Sequence, residues 1–400
     1  MLLDIKICVL GLGYIGLPSA ALLANRGYQV QGVDVAPEVV ETINQGNIHI
    51  VEPDLDSFVH SAVNSGRLKA SLEPEAADIF IVAVPTPFHE GFVPNIDYVL
   101  NATRSIASVI KAGDLVILES TSPVGTTEKV AETLRECGVE TDAIHIAHCP
   151  ERVLPGHIMR ELVENDRIVG GITSEASEKV AAFYRTFVTG EVLVADARTA
   201  EMAKLTENSF RDVNIAFANE LSLLSDKFGI DVWELIRLAN RHPRVNILQP
   251  STGVGGHCIA VDPWFIVHEG GDDARLIRTA REVNTRKTEW VVEKIKARVA
   301  DFREEHGRVP VVACMGLAFK PNIDDLRESP ALWVFQQLVA GDIQPLAVEP
   351  NLEKHASISL TAWQDAAASA DIVVYMVAHR EFQKLKVKGD VMDFCGVVQA

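Results

Sequence analysis

Residues 254–263 read V-G-G-H-C-I-A-V-D-P and place a thiol, Cys258, shortly after two glycines, with a carboxylate, Asp262, four positions on. A cysteine becomes a nucleophile when its thiolate is favoured and reachable, and Gly255 and Gly256 permit the backbone turn and close ligand approach that this requires. The run I-A-V-D-P-W-F resembles the first turn of a helix. That geometry would set the Cys258 sulfur near unsatisfied N–H groups and Asp262 on the same face. Lys204 and Asn208 are also one helical turn apart. A lysine in a dehydrated cleft offers positive charge or, with its pKa lowered, acts as a base, and the asparagine can donate to the same oxygen. Asp262 and Glu151 are the carboxylates available to activate a water. The plainer alternative for Cys258 is an inert thiol in a turn.

These groups need elements to hold them. Strand-like I-K-I-C-V-L (5–10) runs into G-L-G-Y-I-G-L-P, then a helical A-A-L-L-A and a second strand ending at Asp34. Gly11, Gly13 and Gly16 have the spacing of a dinucleotide fingerprint: tight turn, pyrophosphate approach, and close helix–strand packing. Asp34 would accept from a ribose diol and repel a 2′-phosphate, so the cofactor expected is NAD and not NADP. Further strands are expected over 76–85, 115–121 and 144–150, ending in P-T-P, S-T-S-P-V-G-T-T and C-P-E-R. In an open parallel sheet, ligands lie beyond the carboxyl ends of the strands, which makes Thr86, Thr121, Thr127, Glu151 and Arg152 candidate lining residues. Helix capping is the plain reading for the threonines.

From Arg198 to Phe228 the chain has no glycine or proline and reads as one long helix, with Glu201, Lys204, Asn208 and Arg211 sharing a face. Pattern alone would make that face solvated surface. The apolar flanks favour instead a helix that joins domains or forms a dimer seam. A second strand, glycine turn and helix begins at 309, a further strand follows from 343, and S-A-D-I-V-V-Y-M-V-A (369–378) echoes the strand at 76–85. This half has Gly316 but no full fingerprint, so it is expected to hold a different nucleotide, with Lys320 and Arg327 in the loop facing phosphate.

A thiol beside an NAD site has a defined use. It adds to an aldehyde to give a thiohemiacetal, which loses hydride to become a thioester, and water then releases the acid. The same cofactor site can first oxidise a primary alcohol to that aldehyde.

Composition sets the bounds. With 400 residues, 48% hydrophobic and 23% charged, the chain is expected to be globular and multidomain. It has no apolar run long enough to span a bilayer, and its N-terminus enters a strand with no room for a signal peptide. The six cysteines lack the spacing of a metal site or a disulfide framework, so no metal and a reducing cytoplasmic location are expected. Cys8 and Cys314 lie in apolar strands and are expected to be buried. A net charge of −18 argues against nucleic acid or an anionic membrane as partner, and implies that cations gather locally where an anionic ligand binds.

The motifs G-L-G-Y-I-G, S-T-S-P-V-G-T-T, C-P-E-R-V-L-P-G, E-M-A-K-L-T-E-N-S-F-R-D, G-V-G-G-H-C-I-A-V-D-P-W and G-L-A-F-K-P-N-I-D-D-L-R-E-S-P follow in order. The set resembles the nucleotide-sugar 6-dehydrogenases typified by UDP-glucose dehydrogenase, nearly end to end. UDP-glucose enzymes usually carry lysine directly before the aspartate, where this chain has Val261. That departure and the N-R-H-P-R-V-N-I-L-Q-P run resemble the branch acting on UDP-N-acetyl-D-mannosamine. The resemblance implies oxidation of that sugar to its uronic acid with two NAD, supplying a surface polysaccharide precursor. UDP-N-acetylglucosamine and UDP-glucose are the alternatives. It also implies an α/β chain in three parts: an N-terminal NAD-binding Rossmann-type parallel sheet (1–197), a central long-helix domain carrying the catalytic lysine and cysteine and a homodimer interface (198–300), and a C-terminal Rossmann-like domain for the UDP-sugar (301–400).

By the same resemblance Cys258 is the nucleophile, Lys204 and Asn208 steady the oxyanion, Asp262 assists, and Thr121 with Glu151 places the water. Gly11, Gly13, Tyr14, Ile15, Gly16, Asp34, Thr86, Thr121, Thr127 and Arg327 would hold NAD. Arg152, Val153, Lys204, Asn208, Arg211, His242, Arg244, Gly255 and Lys320 would hold the substrate, some crossing from a dimer partner. A simple two-electron dehydrogenase and a catalytically inactive nucleotide-sugar or NAD sensor are the competing readings, and the intact Lys204, Asn208, Cys258 and Asp262 set argues against the sensor.

Overall fold

The computed structural model describes residues 5–256 and 258–398. The chain forms two compact units, Met1–Thr206 and Glu207–Ala400. In the first, β1 (Lys6–Leu10), α1 (Gly16–Asn25), β2 (Gln29–Val33), α2 (Pro37–Asn44), α3 (Leu55–Asn64) and β3 (Leu68–Ser71) are followed by β4 (Ile79–Val82), α4 (Asp97–Ile106), β5 (Leu115–Leu118) and α5 (Thr126–Glu136). Then come β6 (His145–His148), α6 (Ile158–Glu164), β7 (Arg167–Gly171), α7 (Ser174–Tyr184) and β8 (Val192–Asp196).

The strands form one sheet in the order β3-β2-β1-β4-β5-β6-β7-β8. Its first six strands are the parallel order of a dinucleotide-binding fold. β4 and β5 are wholly buried apolar runs, as expected of strands covered by helices on both faces. Ile7, Val9, Ile81 and Ile117 pack on one side, and Cys8, Leu10, Phe80 and Val116 on the other. The expected strands at 5–10, 76–85, 115–121 and 144–150 are present. The edge was not anticipated: β7 runs antiparallel to β6, pairing Ala147 with Gly171, and β8 then runs parallel to β7.

The unit boundary falls inside the long helix α8 (Ala197–Phe228), whose limits match the glycine-free, proline-free stretch. The second unit continues with α9 (Val232–Ala239), α10 (Asp262–Gly270), α11 (Arg275–His306), β9 (Val312–Met315), α12 (Pro330–Ala340), β10 (Leu346–Val348), α13 (Trp363–Ser369), β11 (Ile372–Tyr375) and β12 (Asp390–Asp393). Its sheet is all parallel in the order β10-β9-β11-β12. The expected domain boundary at 300 lies within α11. Val291, Ile295, Val299 and Phe302 of that helix join Val312, Val334 and Ile372 in one apolar cluster, so the central segment and the C-terminal sheet share a core.

Candidate active site

In the first unit the candidate residues lie at the carboxyl ends of β1, β2, β4, β5 and β6. Gly11 has φ +88°, and a Cβ there would lie 2.6 Å from the Ala83 carbonyl oxygen. A Cβ on Gly16 would lie 1.7 Å from the Gly11 oxygen, so only glycine lets α1 start this close to β1. Gly13, between them, faces open space with nothing within 4 Å of its would-be Cβ. The Asp34 carboxylate accepts from Leu12 N at 2.9 Å and Ala36 N at 3.0 Å, which fixes it beside the turn. An open glycine at the start of a helix and an anchored acid at the end of β2 fit a dinucleotide: pyrophosphate over the α1 N-terminus, ribose hydroxyls on Asp34. Tyr14 and Ile15 flank this turn, Tyr14 being exposed and Ile15 half-buried.

Hydroxyl groups brace the neighbouring loops. Thr86 Oγ1 donates to the Thr121 carbonyl at 2.6 Å, and Ser120 Oγ to that of Val84 at 2.7 Å. Thr127 is buried at the start of α5, and its hydroxyl and N–H both donate to Glu201 Oε1, at 2.6 and 2.7 Å. Glu201 Oε2 takes Gly125 N at 2.6 Å. The carboxylate from α8 thus caps α5, the preferred place for an acid on a helix. Glu201 is fully buried, in contrast to the solvated face its spacing alone suggested. On the same helix Lys204 is half-buried. Burial drives His148, at the end of β6, down to about 3, and the nearby Lys204 ammonium adds to that shift.

Glu151 follows β6 and is buried. Its Oε1 accepts from Arg152 N at 2.6 Å, and its Oε2 lies 2.8 Å from Nη1 of Arg167. The loop holding Glu151, Arg152 and half-buried Val153 is anchored by Glu52, which accepts from Gly156 N and Ile158 N at 2.8 Å each. Arg152 itself donates to the Asp166 carbonyl at 3.1 Å.

In the second unit Asn208 Nδ2 donates to Asp262 Oδ2 at 2.6 Å, both side chains buried. Asp262 opens α10, and its N–H donates to the Cys258 carbonyl at 2.9 Å, so thiol and acid are joined across one turn. The helix therefore starts one turn later than the sequence suggested, with Cys258 in the turn before it. Cys258 is exposed, whereas burial pushes the Cys8, Cys149 and Cys314 thiols up to about 12. Cys8 and Cys314 are buried as expected. The glycines before Cys258 serve packing: a Cβ on Gly255 would sit 2.1 Å from the Glu328 oxygen, and one on Gly256, at φ +83°, 2.8 Å from the Phe319 ring. Thr252 Oγ1 ties this loop to the Met376 carbonyl after β11 at 2.7 Å.

Lys320 is half-buried and sits over the Phe319 ring, 5.7 Å from its centre. Arg327 is bound by Asp325. His242 and Arg244 form an exposed turn after α9, with Arg244 N donating to His242 Nδ1 at 3.3 Å, and Arg211 is exposed on α8. Sequence reasoning missed the supports Glu52, Glu119 and Arg167 and the capping role of Glu201. Their partners are distant in sequence, and charges inside apolar strands, as in L-V-I-L-E and D-R-I-V, were the only local sign.

A two-sheet chain whose first sheet carries this glycine turn and anchored acid fits the class of nucleotide-dependent dehydrogenases. The UDP-glucose/GDP-mannose dehydrogenase family matches in three successive segments: its NAD binding domain over 5–188, its central domain over 198–286 and its UDP binding domain over 313–398. The chain belongs to this family of NAD-dependent nucleotide-sugar dehydrogenases. It is 56% identical to the UDP-N-acetyl-D-mannosamine dehydrogenase of Campylobacter jejuni over 98% of this chain and 99% of that one. It is also 56% identical to the NDP-N-acetyl-D-galactosaminuronic acid dehydrogenase of Ralstonia nicotianae, over 95% and 92%. The solved UDP-N-acetyl-mannosamine dehydrogenase Cap5O from Staphylococcus aureus superposes with a TM-score of 0.87 at 40% identity, covering 99% of this chain and 95% of that one. Among the described residues no helix is long and apolar enough to cross a membrane.

Proposed function

We propose that this chain oxidises the C6 alcohol of UDP-N-acetyl-D-mannosamine to the carboxylate without releasing the aldehyde, in the cytoplasm, to supply a surface polysaccharide precursor. The observation that carries the reading is the 2.6 Å bond between Asn208 and Asp262, with Asp262 joined by one turn to the exposed Cys258. Gly11, Gly13, Tyr14, Ile15, Gly16, Asp34, Thr86, Thr121, Thr127 and Arg327 would hold NAD, which when bound would supply the hydride acceptor for both oxidations. Asp262 accepts a hydrogen bond from the Asn208 amide and so orients it, and Lys204, one turn away on α8, shares with Asn208 the negative oxygen at C6. Cys258 adds to the aldehyde, so that the second oxidation leaves a thioester. Glu151, aided by Thr121, takes a proton from the water that cleaves it. Arg152, Val153, Arg211, His242, Arg244, Gly255 and Lys320 line the substrate site, the cations answering the diphosphate on an otherwise acidic chain.

The active form is a homodimer through α8. That helix buries polar Glu201, Asn208, Asp212, Asn219 and Ser222, yet leaves Phe210 67%, Phe217 53% and Phe228 64% exposed. A second copy is the natural cover for such an apolar stripe, and exposed His242 and Arg244 would then serve the partner's substrate.

The match to a galactosaminuronate enzyme at the same identity supports a second reading, in which the sugar is the galacto isomer, differing at both C2 and C4. NADH formation across UDP-N-acetylmannosamine, UDP-N-acetylgalactosamine, UDP-N-acetylglucosamine, UDP-glucose and GDP-mannose separates them. The highest kcat/KM is expected with UDP-N-acetylmannosamine, and a clear preference for another sugar would overturn that assignment.

A further inference from the structure

Glu119 follows β5, Glu151 lies just beyond β6 and Arg167 opens β7, so three charged side chains at neighbouring strands meet inside the first unit, each less than 8% exposed. Arg167 Nη1 stands 2.8 Å from Glu151 and 3.9 Å from Glu119. The Tyr184 hydroxyl donates to Glu119 at 2.7 Å, and Ser19 Oγ to its other oxygen at 3.5 Å. The Arg167 guanidinium lies 5.2 Å from the Tyr184 ring centre. One buried cation therefore serves two carboxylates. With Glu119 ionised the cluster carries a surplus negative charge; with Glu119 protonated it is balanced.

We propose that Glu119 and Arg167 are positioning residues for Glu151, with Glu119 setting, by gaining or losing a proton, how far the Arg167 charge is neutralised before it acts on Glu151. This deepens the reading of Glu151 as the group that activates the hydrolytic water, and rests on it. The other titratable groups facing the cluster do not compete near neutral pH. Burial pushes the Cys149 thiol up to about 12 and Tyr184 well above its ordinary value. Glu119 itself is raised to about 7, chiefly by burial and further by Glu151, against the pull of Arg167. As pH rises through neutrality Glu119 loses its proton to solvent and draws on Arg167, whose charge then stands less fully against the Glu151 carboxylate. Glu151 then takes a water proton, the hydroxide adds to the thioester carbonyl, and the C–S bond breaks. Sulfur leaves as the Cys258 thiolate and recovers the proton, giving acid and free thiol with no change of oxidation state.

The test is a rapid-quench single turnover with UDP-N-acetylmannosamine and NAD, following the acyl adduct on Cys258 by intact mass while NADH is read in parallel. In the wild type, adduct decay should quicken on the order of tenfold between pH 6 and pH 8, as the ionised fraction of a group near 7 does. Glu119→Gln should flatten that rise and leave the first NADH phase unchanged, an uncoupling that a merely structural role would not produce. Glu119→Asp should keep the rise with a moved midpoint. A wild-type pH profile retained by Glu119→Gln, or one midpoint shared by wild type and Glu119→Asp, would overturn the proposal. An adduct that decays at one rate at every pH in the wild type would overturn it while leaving Cys258 catalysis standing; no adduct at all would overturn both.

Discussion

Gly13 and Gly16 belong to one motif yet differ in what they exclude. A Cβ at 16 collides with the Gly11 oxygen, while one at 13 meets no protein atom within 4 Å. Gly16→Ala should therefore cost about 3 kcal/mol of stability and lower the melting temperature. Gly13→Ala should melt like the wild type but bind NAD on the order of tenfold or more weakly, read by calorimetric titration. Equal melting and equal NAD affinity in both would contradict the cradle. These residues, with Cys258, Asp262 and Asp34, were legible because their spacing is local and the chemistry depends on it. Glu201 was not: it meets Gly125 and Thr127 from 76 and 74 positions away. At Gly255 an added Cβ would meet the Glu328 oxygen and Pro330, contacts from residues more than seventy positions away that the local spacing could not show.

The pairing of α8 with α11 holds a lysine with little water around it. Lys287 is 2% exposed, donates to Ser222 Oγ at 2.7 Å and sits over the Trp290 ring at 4.2 Å. Burial drives it down to about 7, with Asp226 pulling weakly the other way. Between about pH 7 and the ordinary lysine value near 10.4 the unfolded chain binds a proton that the fold does not. Stability contributed by this group therefore rises with pH through that window, and its penalty is complete below about 7. Lys287→Met should stabilise the second unit by about 2 kcal/mol at pH 7, less as pH approaches 10, in urea melts. Ser222 keeps a partner in the Asn219 carbonyl, so no buried hydroxyl proton is stranded. A loss of stability at pH 7 would contradict this. The elements themselves were legible where periodicity was long or the strand wholly apolar, as in α8 and β4. The edge pair β7 and β8 escaped because R-I-V-G-G carries a charge and two glycines, and V-L-V-A-D is half exposed.

The helix α8 buries polar Glu201, Asn208, Asp212, Asn219 and Ser222 beside Ala200, Leu205 and Ala216 while leaving Phe210, Phe217 and Phe228 exposed, and this could not be read from the sequence because both faces mix apolar and polar residues. Phe217→Glu should shift sedimentation from dimer to monomer and lower turnover; an unchanged sedimentation coefficient would remove α8 as the interface. The expected boundary at 300 falls inside α11, whose apolar side belongs to the C-terminal core, a pairing that the helical pattern alone does not show. The covalent four-electron route is tested most directly by counting NADH formed per UDP-N-acetylmannosamine consumed, for the wild type and for Cys258→Ser. Two NADH for the wild type and one for the variant, with the sugar left as aldehyde or its hydrate, is the expected result. One NADH from the wild type, or two from the variant with acid formed at the normal yield, would contradict it.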